Sequence, residues 1–189
     1  MDEFAAPEGE LSGLSDAQKR SWRHYESIVN YLDMDPRYVL RRIQHETSFG
    51  HTDPFFTDMT SDQLVRGHIV YEFTMIDYLL ELRICEHVLG PDSGGDARRP
   101  ILLKLMDGMS LIRKAETVLQ FYPALKSCMS LIHQVNGLRN LVAHTFDAQG
   151  RDPKRCEYKG EDIFSVGGLE KLNADIVVIH RALNEDHPL

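Results

Sequence analysis

Apolar positions recur at three- and four-residue spacing along most of the chain, which predicts helices almost throughout. Ser15 with Gln18 reads as a capping box, and Trp22, Tyr25, Val29 and Leu32 then mark a first helix. Asp35 before Pro36 is an N-cap with proline at the first helical position, opening a short helix through Val39, Leu40 and Ile43. Ser48 to Asp58, with Gly50 and Pro54, reads as loop. Thr60 and Gln63 can cap a long helix whose stripe is Ile69, Phe73, Ile76, Leu80 and Ile84, and Gly90-Pro91 stops it. After a polar turn from Pro91 to Arg99, one amphipathic helix is expected through Leu102, Leu105, Met109, Ile112 and Leu119, ending by Pro123. Another spans about Ala124 to His144. A polar loop with Gly150, Pro153 and Gly160 leads to a last helix carrying Leu169, Leu172, Ile176, Ile179 and Leu183.

Convincing alternating strands are absent, and Ile163 to Val166 is too short to carry a sheet. The expectation is an all-α protein, an up-and-down helical bundle of four to six helices. Residues 1–60 form an N-terminal helical extension and residues 61–189 the bundle itself.

Composition changes little in this picture. With 189 residues, 42% apolar and 26% charged, the chain suits one globular domain with extensions. No stretch approaches the roughly 18 apolar residues of a membrane span, and the acidic start Met-Asp-Glu-Phe does not read as a signal peptide. Cys85, Cys128 and Cys156 are an odd, widely spaced set that fits a reducing cytoplasm. Cys85 and Cys128 lie in apolar segments and read as core. Cys156, among Lys154, Arg155 and Lys159, reads as an exposed surface thiol.

Charge matters more. A formal net charge of −8 argues against a protein that coats itself in nucleic acid or anionic lipid. The excess is confined to the flanks, however: residues 1–60 carry 11 acids against 6 bases and residues 147–189 carry 9 against 6, whereas residues 61–146 carry 9 of each. Tight, nonspecific RNA binding is therefore disfavoured, while a local site meeting one phosphate with one arginine is not.

Several chemistries are missing from the motifs. There is no phosphate-cradling loop with a trailing lysine, no nucleophile elbow, and neither H-E-x-x-H nor a Cys/His spacing typical of zinc, so no metal or other cofactor is expected. His45 and His51 read as solvated, and the basic residues from Arg151 to Lys159 are interleaved with Asp152 and Glu157.

Residues 125–144 are less ordinary. At about 100° per residue, Cys128, Leu131, Ile132, Val135, Leu138 and Val142 form one stripe, and Arg139 falls inside it. A guanidinium keeps its proton, so its head needs a carboxylate, a phosphate or water. The plain alternative is a snorkelling arginine whose stem covers apolar surface. Glu72 and Asp77 flank the stripe of the long helix, and either can supply the carboxylate; Asp77 is preferred for its helical spacing to Phe73 and Leu80. Roughly 120° from Arg139 lie His133, Asn140 and His144. His133 reads as solvent-facing. His144, between Leu141-Val142-Ala143 and Thr145-Phe146 at a helix end, sits where an imidazole can be tuned for general acid–base work.

The run from Leu138 to Phe146 resembles the signature of the HEPN superfamily, R-x(4–6)-H with a polar residue after the arginine; the match is Arg139, Asn140, three residues, then His144. The order of helices over residues 61–185 is also similar in outline. The resemblance implies an all-helical, HEPN-like fold, commonly a homodimer whose signatures meet at the interface. It further implies a metal-independent endoribonuclease, such as a toxin with an antitoxin partner or a defence or stress-response protein. The ribose 2′-OH would attack the adjacent phosphodiester and leave a 2′,3′-cyclic phosphate. Carried over, His144 would be the general acid or base, Arg139 would neutralise the phosphorane-like transition state, and Asn140 would orient the substrate or the partner chain. Arg139 and His144 are five residues apart and point about 140° from each other on an ideal helix, so two chains combine them more readily than one. Two other readings stand beside this one: a non-catalytic HEPN-like module binding nucleotide, RNA or a protein partner, and a helical-bundle regulator. The regulator ranks last because no basic recognition helix is present.

Overall fold

A computed structural model describes residues 12–33, 54–144 and 156–184, with the backbone alone at 17, 18, 20, 21, 24, 25, 54–61 and 144. The short helix expected from Asp35 to Ile43, His45 and His51 lie outside the described residues. The fold is all-α: among the described residues there are six helices and one two-stranded hairpin. The helices are α1 (Asp16–Tyr31), α2 (Pro54–Leu89), α3 (Arg99–Met106), α4 (Leu111–Leu119), α5 (Met129–His144) and α6 (Val166–Asn184). Short 3-10 turns at Ser93–Gly95 and Pro123–Cys128 precede α3 and α5. Among the described residues, no helix is long and apolar enough to cross a membrane.

The 36 residues of α2 span about 54 Å at 1.5 Å per residue, and α2 packs against every other helix. Val65, Ile69, Ile76, Leu80 and Ile84 are buried along it, joined by Ile132, Val135 and Leu138 of α5 and by Leu169, Leu172, Ile176 and Ile179 of α6. Each such aliphatic side chain contributes about 1.5–3 kcal/mol of burial. The helix begins at Pro54, six residues before the expected cap at Thr60, because a proline at the first position costs no backbone hydrogen bond. It ends where Gly90 turns left-handed (φ +96°) and donates its N–H to the Glu86 carbonyl.

The expected boundary at residue 60 falls inside this continuous helix. In addition, α1 packs on α2 and α6, with Trp22, Ile28 and Val29 buried. A polar relay joins the three: His68 Nε2 lies 2.9 Å from Asn173 Oδ1, and Asn173 Nδ2 donates to Tyr31 Oη at 3.0 Å.

The single helix expected from Leu102 to Leu119 is two. Ser110 adopts an extended backbone and its Oγ accepts the N–H of Arg113 at 3.3 Å, so it caps a new helix after Gly108. The break rotates the core-facing set to Met106, Leu111, Lys114, Ala115 and Val118, and leaves Leu105 71% exposed.

A hairpin follows α5. Glu157–Tyr158 pairs with Glu161–Asp162 through a turn at Lys159 and Gly160, both at positive φ. It docks on α6 where the Tyr158 hydroxyl donates to Asp175 at 2.7 Å and Lys159 Nζ to the same carboxylate at 2.8 Å. Burial, and then the Asp175 carboxylate, push the phenol's pKa up, so Tyr158 remains a donor. Docking also turns Cys156 inward. It is 3% exposed, a core thiol rather than the surface cysteine its basic neighbours suggested, because the hairpin's in–out alternation outweighs local charge.

Candidate functional site

Arg139 lies on the seam between α5 and α2. Its stem is half-buried, its guanidinium carbon stands 4.9 Å from the centroid of the Phe73 ring, and Nη1 donates to Asn140 Oδ1 at 3.0 Å. Among the described residues, the buried Nε has no hydrogen-bond partner. The ring's negative face attracts the cation, worth about 1 kcal/mol at a partly exposed site. Neighbouring residues on a helix rarely face each other, so the contact with exposed Asn140 shows where the head goes. It stays over Phe73 while its Nη1 reaches the Asn140 side of α5. His144, the last residue of α5, is one turn beyond Asn140 on that face.

The acids expected to accompany Arg139 are committed elsewhere. Asp77 Oδ2 and Glu81 Oε1, one turn apart on α2, both accept from Lys114 Nζ, at 2.8 and 2.7 Å. Lys114 is 3% exposed on the buried face of α4. Desolvation by itself lowers its pKa, but the hydrogen bonds it donates to Asp77 and Glu81 outweigh it and the pKa is raised, so the ammonium stays charged. Glu72 faces α6 instead, with its Oε2 4.0 Å from His180 Nε2. Among the described residues, then, the counterpart of Arg139 is a ring and an amide, and the carboxylates bind α2 to α4 and face α6.

His180 gives a pH-dependent expectation. Among the described residues its buried Nε2 has no hydrogen-bond partner, and burial lowers its pKa against a smaller opposing pull from Glu72. The unfolded chain, with an imidazole of ordinary pKa near 6.5, therefore takes up the proton first as pH falls. His180 does not weaken the fold above that pH, and its penalty grows as pH drops toward the folded value. In urea titrations between pH 7.5 and 5, His180→Gln should lose less stability on acidification than wild type. Equal slopes would contradict this.

One residue at the site escaped sequence reasoning. Arg66 of α2 donates through Nη1 to the Val142 carbonyl in the last turn of α5, and its guanidinium lies 5.2 Å from the Phe164 ring. No spacing signals it: Arg66 is seven residues before Phe73 on α2, whereas Val142 is only three after Arg139 on α5. Asp77 could have been redirected by noticing that Lys114 shares a face with Leu111, Ala115 and Val118.

No family model, curated protein or solved structure matches the chain. The site must be judged on its own residues.

Proposed function

We propose that the chain is a HEPN-like, metal-independent endoribonuclease, acting as a toxin, defence or stress-response protein. Its site is formed by Arg139, Asn140 and His144. The observation that supports this best is the Arg139–Asn140 hydrogen bond at 3.0 Å. It brings one edge of a guanidinium that rests on Phe73 to the side of α5 that carries residue 140, one turn before residue 144. The 140° separation expected of an ideal helix is reduced by the length of the arginine. In this reading His144 moves the proton between the ribose 2′-OH or the leaving 5′-oxygen and solvent. Arg139 stabilises the charge that grows on the phosphorane, and Asn140 holds the guanidinium in aim.

With the arginine so placed, its head reaches within one chain to the side of α5 that carries positions 140 and 144. A homodimer would then oppose two sites rather than complete one. The balanced charge of residues 61–146 suits a selective RNA binder. The competing reading, a binding module for nucleotide, RNA or an antitoxin-like protein without turnover, draws on the same geometry, since an arginine held by Phe73 and Asn140 can also serve structure alone. Cleavage of RNA in excess chelator separates them. The proposal expects chelator-resistant cleavage leaving 2′,3′-cyclic phosphate ends, and products with 3′-hydroxyl ends would overturn it.

A further inference from the structure

The outward face of α6 carries a pattern of its own. Asn173 and His180 look toward α2, where they meet His68 and Glu72, and Leu169, Leu172, Ile176, Ile179 and Leu183 are buried on the core side. At about 100° per residue, Glu170, Ala174, Val177 and Arg181 fall on the other side, roughly 150° round the helix from that core set. All four are exposed, Val177 at 45%. Their spacing is four, three, four, the seam of a helix that packs along another helix. The same face continues onto α2. Tyr71 and Tyr78, 59% and 48% exposed, lie about 60–80° from His68, on the side away from Ile69 and Ile76.

The charges say which helix fits. Glu170 and Arg181 stand at opposite ends of the stripe, with Ala174 and Val177 placed symmetrically between them. Turned end for end about a two-fold axis, the stripe matches itself: Glu170 meets the partner's Arg181 at both ends, and Ala174 meets the partner's Val177 at the centre. Alanine there lets the two helices come close. Among the described residues neither Glu170 nor Arg181 has an ion pair, whereas charged neighbours are engaged, Lys171 with Glu161 and Glu72 with His180. Self-complementarity of this kind is what an isologous contact requires and what an unrelated partner does not. We propose that α6 pairs with α6 of a second copy of this chain in an antiparallel, two-fold dimer. It is not the dimer that the signature implies. Phe73, which holds Arg139, lies about 160° from Tyr71 on α2, so each signature stands on the far side of its own chain and neither copy completes the other's site. The inference does not depend on the ribonuclease reading.

Sedimentation equilibrium of the full chain reads the pairing. Wild type should pass from monomer to dimer between about 1 and 300 µM. Glu170→Arg or Arg181→Glu alone sets like charges together at both ends of the contact and should weaken dimerisation by about tenfold or more. The double exchange should restore it to within about threefold. Val177→Lys, at the centre, should weaken it as much without touching either charge. Every position is exposed, so all variants should unfold within a few degrees of wild type, which separates lost pairing from lost fold. A chain that stays monomeric at about 300 µM, or a dimer that the single exchanges leave intact, overturns the proposal. So does a double exchange that dimerises no better than either single one, because only a partner carrying the same two charges regains its match.

Discussion

Lys114→Met is expected to destabilise the fold by about 3 kcal/mol, a large share of the roughly 5–15 kcal/mol that holds a domain together. Wild-type Lys114 is nearly inaccessible and is shared by Asp77 and Glu81 at 2.8 and 2.7 Å. Methionine fills the same volume but leaves two carboxylates one turn apart on α2 with no cation between them. Asp77 and Glu81 side chains are 29% and 18% exposed, so water softens the repulsion and the cost falls at the low end for a broken buried pair. Thermal unfolding should show Tm lower by about 6–12 °C. A loss under about 1 kcal/mol would mean the cluster behaves as an ordinary surface pair.

Gly168→Ala should also cost about 3 kcal/mol, although helix propensity alone favours alanine by about 1 kcal/mol. Gly168 lies in the first turn of α6, directly beneath the hairpin. A Cβ there would stand 2.2 Å from the Asp162 carbonyl oxygen and 2.8 Å from the Ile163 Cα, both backbone atoms. The Asp162 carbonyl has little freedom to withdraw, because it accepts from the Ser165 hydroxyl at 2.6 Å and the Ser165 N–H at 3.0 Å. Ser165 in turn caps α6 by accepting the Gly168 N–H at 3.1 Å. Packing therefore outweighs propensity. Gly167→Ala is the control: its nearest contact would be an ordinary 3.8 Å to a Glu161 side chain, and stability should hold or rise slightly. Urea denaturation of both variants decides the matter, and a more stable Gly168→Ala would contradict it.

The fold class was legible in the chain because helical periodicity is local. The stripes of α2, α5 and α6 pack as their spacing predicts, and Gly90 ends α2 as its conformational freedom allows. What stayed illegible depends on partners far away in sequence. A stripe through Leu102, Leu105 and Met109 is coherent only on a continuous helix, and one capping serine at 110 changes its register. That same misreading concealed Lys114 on the buried face of α4, and with it the true partner of Asp77. Cys156 looked exposed because its neighbours are charged, whereas two residues of hairpin, too short to show alternation, turn it inward. At the site itself, the wheel placed Arg139 on the seam correctly. Its contacts with Phe73 and Asn140, and the reach of Arg66 to Val142, arise from the packing of α2 on α5, which no local pattern encodes.

The central claim is that Arg139 and His144 together cut RNA without a metal, and the rate of RNA cleavage in excess chelator tests it most directly. Wild type should be compared with His144→Ala and with Arg139→Met, which keeps an apolar stem over Phe73, after each variant is shown to unfold within a few degrees of wild type. Wild type should cleave at an unchanged rate with or without chelator, and each substitution should lower that rate by about 100-fold or more. Cleavage that the chelator abolishes, or variants that cleave as fast as wild type, would contradict the account.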